Sequence, residues 1–153
     1  MLPLDHLYPR LKEATMPTAS NYAKPLPRLT PLTQPFWDHA KAGRLAVQAC
    51  TECGDLHFPP SPVCPKCLST KQEWRIVSGR GTLMSWVLFH RAYWDGFKDE
   101  LPYPVCLVKL AEGPLLATNF GRGMTGEPKV GAPVHVVFEV ATDEITLPQF
   151  VLD

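Results

Sequence analysis

No stretch of this chain approaches the roughly 20 consecutive apolar residues that a bilayer-spanning helix needs, so a helical membrane anchor is excluded. Met1 to Tyr8 lacks a basic start followed by an apolar run, so no secretory leader is read there. An excess of one charge is also missing. Among 153 residues, 15 Lys and Arg balance 15 Asp and Glu, and no basic cluster stands out. Such a chain has no general attraction for phosphate backbones, which weighs against nucleic acid as its partner. No nucleophile beside a base, no carboxylate pair and no open metal can be assigned, so no catalytic residue is expected and the chain is not read as an enzyme on its own.

Cysteine is sparse, but four of the five form two tight pairs, Cys50-Thr51-Glu52-Cys53 and Cys64-Pro65-Lys66-Cys67. Each C-x2-C knuckle turns two thiolates toward one ion, and the connector between the pairs brings the second knuckle round to complete four ligands. Gly54 follows the first pair, where a knuckle often needs positive φ. Two disulfides would suit a secreted protein, and a redox dithiol would sit beside a βαβ pattern; neither setting is present. Zinc and iron both accept four thiolates, and zinc, one ion per chain, is the preferred reading. Four thiolates leave no open coordination position, so this metal is structural, and its binding is coupled to folding of the segment. Reduced thiols fit a cytoplasmic compartment. The fifth cysteine, Cys106, lies in the apolar run Pro104 to Val108 and reads as a small buried hydrophobe.

Proline is abundant, at 17 residues, and six of them lie between Pro3 and Pro31. Proline removes backbone donors and resists helix interiors and central strands, so residues 1–32 read as an extended arm with a short helical turn around Leu7 to Ala14. Such an arm is either a disordered tail or, given its many apolar side chains, a segment that docks on a partner or on its own body. Residues 33–44 form a short helix, with Thr33 as N-cap, Pro35 in the first turn, Phe36, Trp37 and Ala40 on one side, and Gly43 as the stop. Residues 45–73 are the metal ribbon, entered by a strand through Leu45, Val47 and Ala49. His57, in the rigid connector, is not needed as a ligand.

Residues 74–153 read as strands punctuated by turns: Gly81 to His90, Pro104 to Ala111, Leu115 to Phe120, Val134 to Val140 and Ile145 to Leu152. Both alternating sets of the first are mostly apolar, as in a strand covered on both sides. Glu112-Gly113-Pro114 marks a hairpin, and Pro148 places the last strand at an edge or a bulge. Five strands without an intervening helix make a five-stranded barrel of the oligonucleotide/oligosaccharide-binding (OB) type the economical architecture. His90 and His135 are expected as packed or edge histidines. The long connection Arg91 to Tyr103 carries Tyr93, Trp94 and Phe97 among charges; aromatics of this kind are favoured at interfaces and ligand mouths. The loop Gly121 to Lys129 lacks the strand-to-helix context of a phosphate cradle and is expected as a turn.

The order of parts resembles the DUF35 family. The resemblance rests on Pro35-Phe36-Trp37, Gly43-Arg44-Leu45, the two knuckles with Phe58-Pro59-Pro60 between them, Gly79 to Leu83, Glu112-Gly113, Val130-Gly131 and Leu147-Pro148-Gln149-Phe150. It covers most of the chain after the arm. It implies a mainly β protein with a rubredoxin-like zinc ribbon and an OB-fold barrel. It also implies an accessory role beside a thiolase-like enzyme, acyltransferase, aldolase or hydratase-type subunit that processes acyl-CoA, with the surface helping to form the site for the CoA thioester. Where the family commonly has arginine after the two prolines, this chain has Ser61. On this reading Tyr93, Trp94, Phe97, Arg91 and Arg122 are the candidate ligand or partner contacts. The competing reading is a single-stranded nucleic-acid module, in which Trp86, Tyr93 and Trp94 would stack on bases.

Overall fold

The computed structural model describes residues 22–122 and 124–153. The expected helical turn around Leu7 to Ala14 lies outside them. A short helix, α1 (Gln34–Lys41), is started by Pro35 and stopped by Gly43 at φ 69°. Thr33 holds the N-cap position, but its hydroxyl turns back to Arg28 O and Thr30 and caps no helical N–H. Phe36 and Ala40 are buried, and Trp37 packs against the core.

The chain then enters a three-stranded sheet of β1 (Ala46–Cys50), β2 (Leu56–His57) and β3 (Gln72–Ile76), in the order β2-β1-β3 and antiparallel throughout. All five residues of β1 are buried: β2 and β3 flank the strand, α1 packs on it and Val47 enters the shared core. The second sheet contains β4 (Arg80–Phe89), β5 (Tyr103–Leu110), β6 (Leu115–Thr118), β7 (Pro133–Val140) and β8 (Thr146–Leu152), in the order β6-β5-β4-β7-β8. It curls on itself. A parallel bridge joins Phe120 to Phe150, and the Thr118 hydroxyl donates to Pro148 O at 2.8 Å. This is the expected five-stranded OB barrel, with β6 and β8 facing each other across its seam. Pro148 is tolerated because β8 ends the hydrogen-bonded order. The β5–β6 hairpin closes through Gly113, at φ 117°, whose N–H donates to Leu110 O.

One expectation is corrected. β4 is not covered on both sides: Val87 is 54% exposed and Met84 is exposed as well. The pairing of β4 with β5 shifts between Leu83 and Ser85, so a bulge at Met84 reverses the parity of the strand. Gly81 and Leu83 point inward before it, Trp86 and Leu88 after it. Apolar residues on both parities therefore record a change of face, not two buried faces.

The ribbon and barrel share one apolar core. Phe36, Leu45 and Val47 from the helix and ribbon pack with Leu83, Val108, Leu110, Leu116, Val134 and Phe150 from the barrel. At the junction, Glu112 in the hairpin accepts the Ser78 N–H at 2.7 Å.

Candidate functional site

The two knuckles are built alike. The N–H of Gly54 donates to Cys50 O at 2.9 Å and that of Leu68 to Cys64 O at 2.9 Å. In return the N–H of Cys50 reaches Asp55 O, and the N–H of Cys64 reaches Ser69 O. This turn requires a left-handed residue after the second cysteine, filled by Gly54 at φ 73° and by Leu68 at φ 62°. Glycine adopts that conformation freely, whereas an L side chain costs about 1–2 kcal/mol.

The knuckles bring four sulfurs together within 4.8 Å of one another, with Cys50 to Cys67 at 3.5 Å and Cys53 to Cys64 at 3.7 Å. All four are free thiols. A tetrahedral ion with metal–sulfur bonds of about 2.3 Å needs sulfur–sulfur edges of about 3.8 Å, which this cluster matches. Its electrostatics also call for a cation. The Cys53 backbone N–H draws the Cys50 thiol down to about 7, in spite of burial. Cys67 behaves oppositely: the Ser69 N–H favours its thiolate, yet the Cys53 thiol and burial push it up to about 12. Thiolates this close resist ionising together until a metal charge offsets them.

His57 lies beside the cluster, buried. Its Nε2 donates to Gln48 Oε1 at 3.2 Å, and the same oxygen accepts the Ser61 N–H at 2.6 Å. Its Nδ1 has no hydrogen-bond partner and lies 3.6 Å from Asp55. Asp55, His57 and Cys64 thus form a smaller polar group against the cluster.

The aromatic connection folds around a 3-10 helical turn, Asp95–Glu100. Phe97 stacks on Tyr103 with centroids 4.6 Å apart, and Tyr103 stacks on Phe89 at 5.3 Å. Tyr93 and Trp94 remain 59% and 57% exposed, and Arg91 lies over the Tyr93 ring. Phe97 is therefore engaged within the loop, whereas Tyr93, Trp94 and Arg91 form its outward rim. Arg122 pairs with Glu139 at 2.8 Å on another part of the barrel.

The arm, as far as it is described, docks on the body. Lys24 pairs with Glu100 at 2.6 Å and lies over the Phe97 ring. Half-buried Tyr22 has its hydroxyl pKa raised by burial and by Glu139 and Glu100. Further along, Pro27 and Arg28 wall a cavity of about 380 Å³ at the mouth of the barrel seam. Its other walls include Phe36 and Trp37 from α1, Phe58 and Pro60 from the connector, and Leu116 and Pro148 from β6 and β8. Sequence reasoning missed this cavity, because four distant segments meet to form it.

Among the described residues no serine, threonine or cysteine side chain hydrogen-bonds a histidine. His90 is exposed just past the end of β4, and His135, on β7 between β4 and β8, meets Asp153 at 2.6 Å at the surface. Cys106 is buried, and burial pushes its thiol up to about 12. Among the described residues of the loop at 121–129 there is neither helix nor strand. No helix among the described residues is long and apolar enough to cross a membrane.

Comparison with known proteins places these parts. Residues 37–73 match the family model described as ChsH2, rubredoxin-like zinc ribbon domain, and residues 74–139 match ChsH2, C-terminal OB-fold domain. The chain is 32% identical over 102 residues to a "DUF35 domain-containing scaffold protein" of Pyrococcus furiosus, spanning 67% of this chain and 74% of that one. It is 37% identical over 116 residues to a "Probable enoyl-CoA hydratase alpha subunit" of Thermomonospora curvata; the match takes in 75% of this chain but spans only 36% of that relative's length. Among solved structures, the one titled "Ltp2-ChsH2(DUF35) aldolase" superposes with a TM-score of 0.73 at 33% identity, covering 83% of this chain and 98% of that one.

Proposed function

Because this chain belongs to the DUF35 family of zinc-ribbon and OB-fold proteins, we propose that it is a non-catalytic, zinc-stabilised accessory subunit of an acyl-CoA-processing enzyme. The observation that carries this reading is how the module is distributed. In the archaeal scaffold protein it makes up most of the chain, whereas in the hydratase alpha subunit it is about a third of a longer polypeptide. A module found both alone and joined to an enzyme subunit is suited to serving that enzyme.

In this reading Cys50, Cys53, Cys64 and Cys67 hold one zinc ion. The ion supplies charge compensation and cross-linking, with no open position for substrate. The chain's own residues do the rest. The shared core fixes the ribbon against the barrel, and Tyr93, Trp94 and Arg91 offer an aromatic rim of the kind that anchors protein interfaces. The cavity beside Arg28 gives an apolar wall with one cation at its edge, suited to part of a CoA thioester. The enzyme served is a thiolase-like protein, acyltransferase, aldolase or hydratase, and the setting is the cytoplasm.

Native mass spectrometry of the chain purified from its own host tests this. The expected result is one zinc per chain and a stable complex with an acyl-CoA enzyme. A zinc-loaded chain that brings down no such enzyme contradicts the accessory role, and iron in place of zinc contradicts the metal assignment.

A further inference from the structure

Among the described residues nothing accounts for a leucine at position 68. Its backbone is left-handed, at φ 62°, a conformation that the equivalent Gly54 adopts without cost. Its side chain is 72% exposed and takes no part in the apolar core. The two knuckles make the same pair of hydrogen bonds, so the backbone asks for the same residue in both and receives a strained, solvent-facing one in the second. A cost borne by the free chain points to something gained outside it.

We propose that Leu68 is a docking anchor, carried at the tip of the second knuckle into an apolar pocket on a folded protein partner. The inference rests on the reading above, in which that partner is the acyl-CoA enzyme. Four sulfurs closed on a metal hold the tip rigid, so little ordering entropy is lost when it docks. The neighbouring charge narrows the partner's chemistry. Lys66 is exposed and makes no ion pair among the described residues, whereas Lys71 is paired with Glu52 at 2.9 Å. The matching surface is therefore an apolar pocket of leucine size with a carboxylate on its rim. A lone leucine beside a single lysine offers too little apolar area for a lipid surface. A second copy of the chain is the alternative occupant, and the oligomeric state tests for it.

The test uses the full zinc-loaded chain and the enzyme that co-purifies with it, each purified and titrated by calorimetry. Leu68→Gly and Leu68→Asn suit the left-handed turn, so both are expected to unfold at or above the wild-type temperature. They should nevertheless bind the enzyme about ten- to thirtyfold more weakly. Leu68→Met keeps an apolar anchor and should stay within about threefold of wild type. Unchanged affinity in Leu68→Gly overturns the anchor and leaves the accessory role standing. Loss of a wild-type homodimer in Leu68→Gly, seen by sedimentation, also overturns it, since the occupant would then be a second copy. If wild type binds no acyl-CoA enzyme, the accessory role itself falls and the anchor falls with it.

Discussion

Two kinds of cysteine occupy this chain, and their surroundings separate them. Cys64 is buried in the cluster and is bonded through its backbone to Leu68 and Ser69. Cys64→Ser should therefore release the metal and unfold the ribbon, since structural zinc sites contribute on the order of 10 kcal/mol to folding. Metal content and far-UV circular dichroism together would register the loss. Cys106 belongs to the apolar core, and burial holds its thiol at about 12 against an ordinary value of 9.0. A raised acid stays neutral when folded, so its contribution is intact below about pH 9 and is lost as pH rises from there toward 12. In the native protein Cys106 should resist alkylation at pH 8, and replacing it with alanine should flatten the alkaline fall in stability. Rapid labelling of Cys106 in folded protein would contradict its placement. The knuckle cysteines were legible from spacing alone. Leu68 was not, because the signal lay in comparing the residues that follow the two pairs, glycine in one and leucine in the other.

The arm illustrates how far an element can be read. Its prolines pointed to an extended segment and its apolar residues left a docked arm or a disordered tail open; residues 1–21 lie outside the described part, and from Tyr22 on the arm lies against the body. Gly96 shows the place. A side-chain carbon there would lie 2.5 Å from Ala23 O and 2.6 Å from Ala23 C, so the arm passes directly over the 3-10 turn. Because backbone must move to admit even a methyl group, Gly96→Ala should destabilise the protein by about 1–3 kcal/mol. It should also speed proteolysis between residues 22 and 28 while leaving metal content unchanged. Equal proteolysis in both proteins would mean that the arm does not bind there. The strands were legible wherever alternation was regular, and β5, β7 and β8 fall close to their expected bounds. β4 was misread on one point because a bulge exchanges inward and outward positions, and periodicity cannot distinguish that from burial on both faces.

At the scale of the molecule, local signals named the parts and long-range contacts joined them. The seam between β6 and β8 closes through Phe120 and Phe150, and the cavity draws on four segments between Pro27 and Gln149. Neither leaves a mark in any short window of sequence. The same holds for the core running from Phe36 to Phe150, which packs the ribbon and barrel together. The proposed accessory role asks that such a body act on an enzyme and not turn over substrate by itself. The most direct measurement is therefore the steady-state acyl-CoA turnover of the co-purifying enzyme, stripped of this chain and then titrated with it. The account predicts that turnover rises and saturates at a fixed ratio of the two chains, that the chain alone turns over nothing, and that Cys64→Ser restores nothing. Full turnover by the stripped enzyme, or turnover by this chain alone, would contradict it.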